Sequence, residues 1–341
     1  MASLVEKIAD AVLYEGYLLY PYRSSAVKNR QRFNFGIVYP ETYSAAGGGI
    51  EPCEMQTQCL AAGSQEMSLS VQVRCLRLVE RTVGPLCAGE FVSSPVMEVE
   101  GRTYESWQEA AECELPLPDL HLGELVSAPV FRRFALPATR SEEPVRSSQG
   151  TVAGLIVRTQ QPLECEIGAE AEPLRKGLFR VSVRIRNVTH GDASSAGRDA
   201  VLARSLLSAH TILHLASGEF VSSLDPPSEF QADVAACQNV GTWPVLAGEP
   251  GQRDTMLSSP IILYDYPAIA PESPGDLFDG AEIDEILSLR ILTLTDEEKR
   301  AMCQSDERAR RILERTESLP PEHFMKLHGV LRGMDTGKEA S

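Results

Sequence analysis

Residues 178–187 read LFRVSVRIRN, and no other stretch of the chain alternates so cleanly. Phe179, Val181, Val183 and Ile185 fall on one side, with Arg180, Ser182, Arg184 and Arg186 on the other. Successive side chains of an extended backbone point to opposite faces, so this period marks a strand with one buried face. Period two persists from about residue 50 to about residue 225. Residues 68–79 set Leu69, Val71, Val73 and Cys75 against Gln72 and Arg74, and residues 151–159 (TVAGLIVRT) read as a buried strand. One-sided alternation belongs to antiparallel sheet with one wet face, whereas parallel strands are apolar on both sides. Within 96–104, Glu100-Gly101 separates two short strand-like runs and suits a tight hairpin. Residues 32–39 (RFNFGIVY) also alternate. Residues 41–50 end in Gly47, Gly48 and Gly49, as expected of a flexible loop, and the polar stretches 141–150 and 191–199 divide the strands.

Two regions depart from this period. Residues 4–13 place Leu4, Val5, Ile8, Ala11 and Val12 on one helical stripe and Glu6, Lys7 and Asp10 off it, the pattern of a short helix docked on something larger. After Pro274 the pattern is helical again, with Ile283, Ile286 and Leu287 on one side. Thr295-Asp296-Glu297-Glu298 forms a capping box, and Pro321 suits a first helical position. The expected architecture is α+β. It comprises an amphipathic helix over 1–14, an antiparallel sandwich-like body over 15–270, a helical unit over 276–333 and a frayed tail over 334–341.

At 341 residues, 43% hydrophobic and 23% charged, the chain has the composition of an ordinary globular protein. Its net charge of −16 repels phosphates over most of the surface, which argues against nucleic acid and anionic membrane as partners. The eight cysteines are scattered, with no CxxC among them and no basic-then-apolar leader before them. Reduced thiols in a cytoplasmic protein are therefore expected, and zinc-ribbon or thioredoxin-like chemistry is not. No apolar run approaches the roughly 20 residues of a spanning helix.

Motifs for catalysis are weak. His210 and His214 form an HxxxH that would serve one metal on a helix. Residues 209–215 (AHTILHL), followed by a turn at 216–219 and by 220–224, read instead as a β-hairpin. There the two imidazoles stand about 13 Å apart. No HExxH, GxSxG, P-loop or GxGxxG is present. Cys59 could be an activated thiol if a histidine approached it, but buried free cysteine is the commoner role.

Charge segregation is the stronger signal. From Asp265 to Glu298 ten carboxylates face one cation, Arg290, in a stretch that begins with Tyr264, Asp265 and Tyr266. Asp265, Glu272, Asp276, Asp279, Glu282 and Asp284 could ligate a hard cation, and Asp265, Glu272 and Asp276 with His210 or His214 could form a hydrolase site. Their spacing matches no calcium loop, however, and acidic residues also suit a helix N-terminus. Arg23, Lys28, Arg30 and Arg32 occupy a stretch with no carboxylate between Gly16 and Glu41, beside Tyr20 and Tyr22. Such a basic–aromatic mixture is used for single-stranded nucleic acid, but the overall charge opposes that. The preferred reading is that the basic strip faces the acidic segment, within one chain or across a homodimer, and that both serve protein partners. No cofactor is expected.

The stretches 12–40 and 241–299, with Gly218-Glu219-Phe220-Val221, Leu224-Asp225-Pro226-Pro227 and Asn239-Val240-Gly241-Thr242-Trp243-Pro244, carry a resemblance. They resemble a bacterial family, without an assigned reaction, that is encoded near uptake nickel–iron hydrogenases, notably the actinobacterial type. The resemblance implies a non-enzymatic accessory, assembly or maturation role, with a hydrogenase subunit or maturation factor as partner. It supplies no active-site residues. The paired CxxC motifs that hold nickel in a hydrogenase large subunit are absent, so the chain is not that enzyme.

Overall fold

A computed structural model describes residues 4–14, 35–191 and 197–268, together with residues 299, 310, 313 and 314. Helix α1 (Leu4–Leu13) comes first, followed after residue 35 by the short helix α2 (Glu41–Ala46). Strands β1 (Glu54–Ala62), β2 (Ser68–Cys87) and β3 (Glu90–Phe91) lead to the hairpin β4 (Val96–Val99) and β5 (Arg102–Glu105). Then come β6 (Trp107–Pro116), β7 (Leu120–His121), α3 (Leu122–Ser127), β8 (Val130–Leu136) and β9 (Thr139–Arg146). Strands β10 (Val152–Gln160), β11 (Leu163–Arg175) and β12 (Leu178–Asn187) precede helix α4 (Arg198–Leu202). The remainder is β13 (Leu207–Leu215), β14 (Glu219–Phe220), α5 (Gln231–Ala235), β15 (Trp243–Leu246) and β16 (Thr255–Ser259).

Every named strand pairing is antiparallel. One sheet runs β14-β1-β12-β11-β8. The larger runs β15-β16-β13-β2-β10-β9, with β3, β6 and β7 also on β2. The 20-residue β2 is its spine. β6 pairs with residues 72–81 of β2, so β13 and β10 must share the opposite edge in succession. The inward rows of both sheets meet in one core: Leu69, Val71, Val73 and Cys75 of β2 against Cys59 of β1 and Phe179, Val181, Val183 and Ile185 of β12. Each such aliphatic or aromatic side chain contributes about 1.5–3 kcal/mol when fully buried.

The antiparallel, β-rich body expected from period two is present. Its outward faces differ from each other. On the five-stranded sheet, Arg180, Arg184 and Arg186 of β12 pair with Glu172 (3.4 Å), Glu170 (3.4 Å) and Glu54 (3.5 Å), a solvated ladder. The nine-stranded sheet has no such wet face over β2 and β13. Leu13 at the end of α1 and Tyr14 after it, Ile37 and Tyr39, and Val201 and Leu202 of α4 cover Leu76, Leu78 and Leu207. Ile8 and Ala9 of α1 cover Val245 and Leu257.

Four local expectations need correction. In the strand expected over 32–39, the described part makes only an isolated bridge, Val38 to Leu206. Helix α2 precedes the glycines of the loop expected over 41–50. The polar stretch at 141–146 is part of β9, an edge strand nearly all of whose residues are exposed, so burial imposed no alternation on it. The expected hairpin over 209–224 is not one: β13 lies in the nine-stranded sheet and β14 pairs with β1 in the other. The chain crosses the core there because Phe220 is fully buried on the far side. By contrast β4 and β5 form the expected hairpin, with Glu100 (φ 49°) and Gly101 (φ 77°) supplying the two positive φ angles a type I′ turn needs. Most of the expected helical unit, 276–333, lies outside the described residues, as do 334–341. Lys299, Arg310, Leu313 and Glu314 are helical. No described helix is long and apolar enough to cross a membrane.

Candidate functional site

The basic strip, Tyr20, Tyr22, Arg23, Lys28, Arg30 and Arg32, lies outside the described residues, as do Glu272, Asp276 and Asp279 of the acidic segment. What is described is where each joins the body. At 35–36 the backbone runs along the start of β13: Ser208 N–H donates to the Phe35 carbonyl (3.2 Å) and Ala209 N–H to the Gly36 carbonyl (3.0 Å). Gly36 has φ +56°, and a Cβ on it would sit 2.6 Å from Pro260 Cγ, so only glycine admits this approach. Pro260 immediately follows β16 and leads to residues 261–268. Gly36, four residues past Arg32, and Pro260, five residues before Asp265, therefore touch where β13 begins and β16 ends. Exposed apolar side chains gather along these segments: Phe35, Trp243 on the edge strand β15, Ile262 at 72% exposure and Tyr264 at 87%.

Asp265 and Tyr266 behave differently from Tyr264. One Asp265 oxygen accepts the Ser222 hydroxyl at 2.5 Å and the other the Leu246 N–H at 2.8 Å. Tyr266 N–H donates to the Leu246 carbonyl (2.7 Å), and its ring packs against the main core with φ at +55°. Both residues fasten the exit of β15 to the segment that carries them. Asp265 is thus occupied as an internal acceptor, where the sequence suggested a ligand or a partner contact.

The two histidines share a face of β13 but not an environment. His210 is fully buried, while His214 is exposed and contacts Thr255 Oγ1 at 3.0 Å. His210 Nδ1 donates to the Ser208 carbonyl at 2.7 Å, and Nε2 has no partner. Burial lowers its pKa to about 4, and the Arg74 guanidinium across the strand pair acts in the same direction, against the Ser208 hydrogen bond. Burial likewise raises Cys59 far above the ordinary thiol range, which disfavours the thiolate a nucleophile needs. Among the described residues no three or more His, Cys, Asp or Glu side chains converge as metal ligands.

Residues that sequence reasoning passed over form an ionic cluster beneath α1. Arg74, with a side chain only 5% exposed, reaches Asp10 of α1 at 2.6 Å, Glu112 of β6 at 3.2 Å and Glu114 at 3.6 Å. Tyr14 Oη donates to Glu112 at 2.7 Å. The available signal was Asp10, off the apolar stripe of 4–13, together with Arg74 on the outward row of β2. Nothing local joined the two.

No model of a known protein family matches the sequence, and no curated protein matches it.

Proposed function

We propose that this chain is a non-enzymatic accessory protein that docks other proteins around the place where residue 36 meets residue 260. The contact of Gly36 with Pro260 carries the reading. It joins two residues from which, in the sequence, a strip of four cations without a carboxylate and a segment of ten carboxylates lead away. Phe35, Trp243, Ile262 and Tyr264 add the large apolar anchors that interfaces use at their centres. Opposed charges on the two segments favour fast, orientated and salt-sensitive association. The helical unit over 276–333 belongs to the acidic arm in this reading, and the location is cytoplasmic. The resemblance of 12–40 and 241–299 to hydrogenase-linked proteins makes a hydrogenase subunit or maturation factor the proposed partner.

Affinity capture from a host with an uptake hydrogenase tests it. The wild-type chain is expected to retain a hydrogenase subunit or maturation factor at low salt. That partner should be lost at high salt and in a variant with Arg23, Lys28, Arg30 and Arg32 changed to Gln. Failure to recover either class of partner with the wild-type chain overturns the proposal. Carbodiimide coupling of Lys28 to Glu272, Asp276 or Asp279 separately tests whether the two arms face each other.

A further inference from the structure

Cys75 of β2 and Cys113 of β6 are direct partners in the strand pairing. Cys75 is fully buried in the main core, and Cys113 is partly exposed on β6, whose other edge carries no strand among the described residues. The two thiols lie close enough for each to bear on the other's ionisation. Arg77, the next inward residue on β2, donates to the carbonyls of Pro137 (3.1 Å) and Gln161 (2.9 Å), which holds its guanidinium beside the pair.

The pairing register decides what bond these sulfurs can make. Pro116, opposite Gln72, has no N–H, so that position is a non-hydrogen-bonded pair. Leu117 N–H donates to the Val71 carbonyl at 2.9 Å at the next position. Alternation makes Cys75 and Cys113 a hydrogen-bonded pair, with Cα atoms about 5.5 Å apart, inside the range a disulfide spans. Their Cβ atoms start about 5 Å apart and must close to about 3.8 Å, so the bond forms under strain and is readily reduced again.

We propose that Cys75 and Cys113 form a hydroperoxide-responsive pair that closes a reversible disulfide across β2 and β6. The Cys113 thiolate attacks one oxygen of hydrogen peroxide. An S–O bond forms, the O–O bond breaks, and the departing hydroxide takes a proton and leaves as water. The Cys75 sulfur then attacks the Cys113 sulfenic acid. The S–S bond forms, the S–O bond breaks, and the hydroxyl leaves as a second water with the Cys75 proton. Two electrons pass from the thiols to the peroxide, and the balance is two thiols and one peroxide to one disulfide and two waters.

The roles follow from the surroundings. The adjoining Cys75 thiol lowers the Cys113 thiol below its ordinary range; burial opposes this and the Arg77 guanidinium assists. The Cys113 thiol and burial together raise Cys75, the fully buried member of the pair, so Cys113, the member open to solvent, meets the oxidant first. Cys165 nearby is pushed up by burial to about 12 and stays a thiol. Cys87, exposed at the end of β2, is an internal control.

Purified full-length protein is treated with equimolar hydrogen peroxide near neutral pH, alkylated, and mapped by peptide mass without reduction. The expected result is a Cys75–Cys113 cross-link that forms at least about threefold faster than oxidation of Cys87. Millimolar glutathione should reverse it. In Cys75→Ser, dimedone should label Cys113 instead. The proposal is overturned if the wild-type chain gives no such cross-link, if Cys87 reacts as fast, or if Cys113 bonds only to Cys165 or to a second chain. These outcomes are read on the wild-type protein and do not depend on the folding of any variant.

Discussion

His210 stays neutral in the folded protein until the pH falls towards 4. Its folded pKa is about 4, against 6.5 for an ordinary imidazole, because burial denies water to the charged ring, which would also stand beside the Arg74 guanidinium. The sign follows directly. Between those values the unfolded chain binds the proton and the folded one does not, so stability is full above about pH 6.5 and declines as pH falls towards 4. From pH 7 to pH 5 the expected loss is about 2 kcal/mol, measured as a lower urea midpoint. His210→Gln should remove most of that slope. Sequence spacing correctly put His210 and His214 on a strand and on one face. It did not show that one is sealed and the other wet, because the cover over that sheet includes α1, which lies far from His210 in the sequence.

Elements here are held as much by missing side chains as by present ones. At Gly84 of β2 a Cβ would overlap the Val92 carbonyl, a backbone atom that cannot swing aside; at Gly168 of β11 it would meet the Phe131 ring at 2.7 Å. Phe131 is an exposed side chain directly across the strand pair, free to rotate outward. Gly84→Ala should therefore destabilise the protein by about 2 kcal/mol or more, and Gly168→Ala by under about 1 kcal/mol, in parallel thermal or urea unfolding. The alternation of β12 was legible because one face meets the core and the other a charged ladder. β9 was illegible, since Arg140, Glu142 and Glu143 lie exposed among polar neighbours with no core to enforce a pattern. The run at 209–224 misled for a topological reason. A turn of hairpin length can equally carry the chain between sheets, and only the destination of Phe220 decides between them.

Across the whole molecule the two sheets are joined by more than apolar contact. Thr57 Oγ1 of β1 donates to Ser258 Oγ of β16 at 2.8 Å, and Ser258 also pairs with Thr242 Oγ1 at 2.8 Å, all three buried. Ser258→Ala strands two buried hydroxyls and should cost about 2–3 kcal/mol with an unchanged denaturant slope. Changing Thr57 and Thr242 to Val as well should recover most of that loss, because no donor is then left unmet. At this scale the charge imbalance was plain in the sequence, whereas the meeting of residues 36 and 260 was not. It depends on a glycine conformation that nothing in the neighbouring residues announces. The packing of Ile8 on Leu257 has a bearing on biosynthesis. The first helix cannot find its seat until about 250 further residues have left the ribosome, which takes roughly 12–50 s at elongation rates of about 5–20 residues per second. For that interval its oily stripe is open to the crowded translation milieu, and a chaperone holding the nascent amino terminus would protect this chain more than one acting after release.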